Sequence, residues 1–141
     1  MTKENLLLLD LPELILSTKI PFIGFYQERL KNDYAGRKFT VVGTGTPQCI
    51  DLIDRLGQFL VNIQQPFKVA TESHIKRANS EQRVKLFTIY ICKNTKVKEL
   101  QDDIEYLLRG YKTTAKLQKS EYVSNALYKR TDIINGQYVP A

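Results

Sequence analysis

One histidine, His74, and two cysteines, Cys49 and Cys92, are all the imidazole and thiol that this chain of 141 residues carries. Zinc sites need such ligands clustered at short spacings, and a hydrolase triad needs its histidine beside a nucleophile elbow; Ser73 and Ser80 have no such pattern around them. Cys49 and Cys92 fall on two separate expected core elements, which suits reduced, buried thiols in an intracellular protein, cytoplasmic or nuclear. No apolar run approaches the roughly 20 residues of a membrane span. Leu6 to Leu9 is short and sits among Glu4, Asp10 and Glu13, so it does not read as a secretory leader. Internal repeats and low-complexity tracts are missing as well. Asp51 and Asp54 lie one turn apart on an expected helix but off its apolar stripe, as solvated charges do, rather than as an acid–base pair. No catalytic group, metal site or cofactor is expected.

What the chain does have is ordinary globular composition, 43% hydrophobic and 26% charged. Its length suits one domain with an appendage. The net charge is +6, and the excess is concentrated in two blocks, residues 15 to 46 and 67 to 94, on either side of a mildly acidic segment. Basic blocks on an ordered domain point to phosphate-rich partners, although a solvated charged face is the commoner outcome.

The stretch from Phe39 to Ile63 organises the rest. Phe39 to Val42 is β-branched and aromatic, as in a buried strand. Ile50, Ile53, Leu56, Leu60 and Ile63 then recur at helical spacing. Between them lies the turn Gly43-Thr44-Gly45-Thr46. Its glycines can take positive φ and allow close approach to the backbone, Thr46 can cap the helix, and Pro47 suits the first helical position. A helix start of that kind can receive an anion, phosphate above all. The same residues also describe a plain packing turn. They do not describe a dinucleotide or P-loop enzyme: Gly57 is too distant to be the third glycine of GxGxxG, and no Lys-Ser/Thr pair follows.

Taken in order, residues 1–12 read as a flexible arm and Glu13 to Ile20 as a first strand, by alternation. Pro21 opens an expected helix with Phe22, Ile23, Tyr26, Leu30 and Tyr34 on one face. Gly36-Arg37-Lys38 then makes a turn into the strand at Phe39. Beyond the central helix, Phe67 to Thr71 and Arg83 to Cys92 read as two strands joined by a long polar connection, that is, as a hairpin with projecting arms. From Thr95, Val97, Leu100, Ile104, Leu107 and Tyr111 predict an amphipathic helix stopped at Gly110. Residues 112–141 interleave tyrosines with cations, a pattern that can stack on bases and pair with phosphates, or pack as a folded tail.

In its order of elements the chain resembles the Alba family of small basic nucleic-acid-binding proteins. The resemblance covers residues 13–94. It rests on Ser17-Thr18-Lys19-Ile20-Pro21 as a strand end before a helix, on the Val42-Gly43-Thr44-Gly45-Thr46 turn, on the apolar helix after it, and on the return from Ser80-Glu81-Gln82-Arg83-Val84 into Phe87 to Ile91. The resemblance implies an α/β fold, a two-layer β-α-β-α-β-β sandwich, here with an extra C-terminal helix and basic, aromatic tail over 95–141. It also implies nucleic-acid contacts at Lys19, at Gly43, Thr44, Gly45 and Thr46, and at Lys76, Arg77, Arg83 and Lys85. Arg37 and Lys38 join these by the charge argument alone. Family members often carry a cation beside the turn glycine, where this chain has Thr44 and Thr46, and Pro47-Gln48 replaces a small-apolar pair. Backbone amides and threonine hydroxyls would then take the cation's place. Dimers or heterodimers are usual in the family, and Gly57, Phe59 and Leu60 are the candidates for that contact, with monomer core as their other reading.

The expectation is therefore a non-catalytic protein binding RNA or DNA through phosphates, as a homo- or heterodimer and not at a membrane. A subunit of a ribonucleoprotein particle such as ribonuclease P or MRP is the alternative within that class. A nucleotide-binding enzyme using the Gly43 to Thr46 turn, and an assembly subunit using the helix at 97 to 109, are the alternatives outside it.

Overall fold

A computed structural model describes residues 11–17, 19–44, 46–79, 83–131, 133–134 and 137–138. The elements in chain order are α1 (Leu11–Ser17), β1 (Phe22–Phe25), a 3-10 turn (Gln27–Arg29), α2 (Leu30–Asp33), β2 (Tyr34–Val42), α3 (Thr46–Asn62), β3 (Phe67–Ala70), α4 (Glu72–Arg77), β4 (Lys85–Cys92), α5 (Val97–Leu107), β5 (Glu121–Ser124) and β6 (Leu127–Thr131), followed by a small separate ladder of β7 (Ile133–Ile134) and β8 (Gln137–Tyr138). Six strands form one sheet in the order β1-β3-β4-β2-β6-β5. Every neighbouring pair in it is antiparallel. The chain is thus mixed α/β.

Alternation sorts the sheet into two unlike faces. On the first, Phe25 pairs with Phe67, Phe67 and Phe39 with Ile89, and Val41 with Phe87 and Leu127. These side chains are all buried, and they share one core with Leu52, Ile53, Leu56 and Leu60 of α3, Leu100 and Ile104 of α5, and Leu11 and Ile15 of α1. The apolar face is therefore the helix-bearing one. On the second face a single row crosses the sheet, Gly24, Lys68, Thr88, Thr40, Tyr128 and Tyr122, with Tyr90, Lys38 and Arg130 in the next.

Several local expectations are corrected. Alternation over residues 13–20 predicts a strand, but Leu11–Ser17 is helical: Leu11 and Ile15, four apart, are both fully buried, and Pro12 sits in the first turn where proline is tolerated. The helix expected from Pro21 is instead β1, because Phe22 to Phe25 finds a ladder partner in β3; Tyr26, at φ 56°, then turns the chain into the short helices. Gly36, Arg37 and Lys38 are not a turn but part of β2. A register irregularity between Tyr34 and Arg37 contains Gly36 at φ 76°, a bulge conformation that glycine adopts without cost. The apolar helix expected after Gly43 is present as α3 and the two strands expected as a hairpin are the antiparallel neighbours β3 and β4, whereas the strand-to-helix junction expected at Lys19 falls between α1 and β1; Ser80, Glu81 and Gln82 of the expected return lie outside the described residues.

The C-terminal part is no appendage to a domain ending at 94. β6 pairs with β2 along Arg37 to Val41, so one sheet runs through both segments. The turn before β6 uses Asn125 at φ 49°, a left-handed position that asparagine tolerates, and its side-chain amide donates to the Leu108 carbonyl at 2.7 Å. The expected helix at 97 to 109 is present as α5 and ends near Gly110, at φ +79°. Expectations for the arm at 1–10 and for Gly45 lie outside the described residues, as does the capping expected of the Thr46 side chain.

Candidate nucleic-acid interface

A cation inside a strand must either pair or reach water. Lys68 lies between buried Phe67 and Val69 in β3 and so is directed to the second sheet face. Its ammonium sits over the Phe22 ring, 4.2 Å from the centroid. Partial burial pushes its pKa below the ordinary lysine value, and the positive charges of Lys38 on β2 and Lys85 on β4 push it further in the same direction. Three strands thus bring three like charges to one region, held on ordered backbone. Beside them lie Tyr90, Tyr128 and Tyr122, the last two in an edge contact at 5.5 Å, with Tyr122 exposed.

Lys68 makes a testable link between stability and pH. Its folded-state pKa is depressed, so the unfolded chain holds more protons as pH rises from the folded value toward 10.5, and stability should rise across that window. Lys68→Met is expected to stabilise the protein at neutral pH and to flatten that rise, while weakening polyanion binding. Urea unfolding of both proteins at neutral and alkaline pH checks the first part.

A second group of cations gathers at the β1 end of the sheet. The Ser73 hydroxyl of α4 donates to the Lys19 carbonyl at 3.3 Å, which ties the α1–β1 link to the β3–β4 connection. Thr71 caps α4 by accepting from the His74 amide, and its hydroxyl lies 2.6 Å from the Ile20 carbonyl. Lys76 and Arg77 are exposed on α4, with Lys76 bonded to Glu72 at 2.6 Å. Arg83 donates to the Ala78 carbonyl at 3.0 Å and leads directly into Lys85. Lys76, Arg77 and Arg83 are thus carried on the β3–β4 connection, to which the backbone of Lys19 is tied, and Lys85 follows at the start of β4. Arg37 points to the other sheet face, unlike its neighbour Lys38.

The glycine turn is not an open cradle. A Cβ on Gly43 would clash with Leu86 Cδ1 and lie 2.5 Å from the Tyr111 hydroxyl and 2.8 Å from Cys49 Sγ. The Gly43 amide already donates to the Val84 carbonyl at 2.9 Å. Here glycine makes room for the protein's own side chains. Tyr111 bridges Cys49 Sγ at 3.1 Å and the Val42 carbonyl at 3.2 Å, and burial, followed by the contact with Cys49, holds its phenol protonated far above the usual range. Thr44 is exposed at the tip.

The nominated dimer contacts are mostly core. Leu60 is fully buried within its own chain and Gly57 is buried, so neither offers surface to a partner; Phe59 is half-buried. Asp51 pairs with Arg55 at 3.2 Å, and Asp54 accepts from Gln58 at 3.0 Å, which leaves the two carboxylates in separate helix-surface contacts. Both cysteines are buried, and burial raises the Cys92 thiol. Among the described residues no group of His, Cys, Asp and Glu could hold a metal, and no helix is long and apolar enough to cross a membrane.

Comparison with protein-family models and with curated proteins finds no match for this chain. Sequence reasoning finds Lys38 and Lys85 but misses Lys68, whose signal is a cation alternating with Phe67 and Val69 in a short strand. The aromatic and cationic pattern of the tail is visible, but not that β6 sets Tyr128 and Arg130 beside Thr40 and Lys38.

Proposed function

We propose that this chain is a non-catalytic nucleic-acid-binding protein, with RNA the expected partner, that grips phosphates on the second face of its sheet and around the adjoining β3–β4 connection. The observation that carries the reading is the grouping of Lys38, Lys68 and Lys85. Burial first, and then the charges of Lys38 and Lys85, disfavour the Lys68 ammonium, and a polyanion laid across the group would offset both. Exposed Tyr122, set against buried Tyr128, adds a flat surface suited to a base. An Alba-like affinity and a paired subunit, homologous or in a larger ribonucleoprotein, belong to the same proposal, with half-buried Phe59 and exposed Ile63 at the end of α3 as surface for it. The nucleotide-enzyme reading has less support, because the backbone at Gly43 is already filled and bonded.

The test is binding of the full chain to a labelled single-stranded RNA across a salt series. Lys38, Lys68 and Lys85 alone imply a log–log slope at least as steep as about −2, and further phosphate contacts steepen it. Affinity that is indifferent to salt would overturn the reading. A rise in melting temperature with millimolar mononucleotide and no RNA binding would favour the enzyme.

A further inference from the structure

At the end of the sheet away from the β3–β4 connection, α5 and the segment leading into β5 stand over β2, β4 and β6 and leave a cleft of about 530 Å³. That volume lies within the roughly 300–1,000 Å³ of pockets that take small organic groups. Its floor is apolar, from Phe39, Ile91 and Val97, and its rim is cationic, from Arg37, Lys119 and Lys129. Lys129 lies 3.7 Å from Glu121, the one acid on the lining, so the rim remains positive. Gln101 and Ser120 supply amide and hydroxyl groups along the wall. A flat, apolar body with donors and acceptors at its edge and an anionic attachment would match all three layers.

Resting on the nucleic-acid reading, we infer that this cleft receives one unstacked base of a bound single strand, with the flanking phosphates on Arg37, Lys119 and Lys129. Lys38 and Arg130 also border the cleft, and their strand positions lie on the second sheet face. The cleft itself opens on the first face, where Arg37, Phe39, Ile91 and Lys129 lie, so a bound strand would reach it by passing over the ends of β2 and β6, past Lys38 and Arg130. A duplex keeps its bases stacked and paired and cannot fill the cleft, so the site selects for single-stranded substrate.

The experiment compares the full chain with two variants, Gln101→Trp, which fills the cleft from α5, and Lys119→Glu, an exposed change that disturbs no packing. Each is titrated by fluorescence anisotropy with a short single-stranded RNA and with a duplex of the same length. The wild type should prefer the single strand. Gln101→Trp should weaken single-strand binding roughly tenfold, about what loss of one base contact removes, without changing its salt slope. Lys119→Glu should also weaken it, and duplex binding should stay within about twofold for both variants by the same contact logic. If both variants bind the single strand like wild type, or lose strand and duplex equally, the cleft is not a base site while the phosphate-binding reading stands. If the wild type binds neither RNA, both fail.

Discussion

Replacing Lys38, Lys68 and Lys85 together by alanine is expected to lower RNA affinity roughly fiftyfold near physiological salt and to make the salt slope shallower by about 2, since each phosphate contact on a single strand releases about 0.7 counterion. The three residues lie on β2, β3 and β4, and none contributes to the apolar core. The variant should therefore remain folded. It should even gain stability, because it removes a partly buried ammonium and the like charges beside it, the causes that lower Lys68. A loss of binding accompanied by a gain in melting temperature separates a functional charge cluster from a structural one, since alanine at a structural position lowers both. An unchanged salt slope would exclude these lysines from the contact. By comparison, Lys76→Ala should cost little, because Lys76 already has Glu72 as its counter-ion.

The second large effect concerns the glycine turn. Gly43→Ala is expected to destabilise the protein by about 3 kcal/mol, at the upper end of overpacking costs, because the new methyl meets Leu86, Tyr111 and Cys49 together. Tyr111→Phe in the same chain should recover part of this, since it removes the hydroxyl that would lie 2.5 Å from that methyl. On its own, Tyr111→Phe should cost about 1 kcal/mol for the hydrogen bonds to Val42 and Cys49. Urea unfolding of the two single variants and the double variant gives the coupling directly. If Gly43→Ala were neutral for stability yet abolished RNA binding, the turn would be a ligand cradle.

What local pattern could and could not disclose follows from where each element's partners lie. β2, α3, β4 and α5 were legible because their apolar periodicity is long: α3 alone buries Leu52, Ile53, Leu56 and Leu60 on one stripe. α1 has seven residues, over which Leu14 and Leu16 alternate while Leu11 and Ile15 keep helical spacing. Tertiary burial of Leu11 and Ile15 decides between those two patterns. Phe22 to Tyr34 satisfies a helical stripe, but Phe22–Phe25 has its ladder partner more than forty residues away in β3, as in the pairing of Phe25 with Phe67. No local window contains that information. The same holds for the candidate site. Lys38 and Lys85 stand out as charges, whereas their proximity to Lys68 depends on the order β3-β4-β2, and the cleft needs α5, β2 and β6 in place at once. Gly43 and Gly45 suggest phosphate because a glycine's reason for being small is invisible in sequence. At Gly43 the reason is Leu86, Tyr111 and Cys49.

The central claim is that nucleic acid lies across the lysine- and tyrosine-bearing face of the sheet. Amide and lysine side-chain chemical-shift mapping during titration with single-stranded RNA tests it most directly. The predicted result is a contiguous set of perturbed signals at Lys38, Lys68, Lys85, Thr40, Thr88 and Tyr122, with the buried helix residues of α3 unaffected. Shifts confined to Gly43 and Thr44, or spread over α3 and α5 with none on that face, would contradict it.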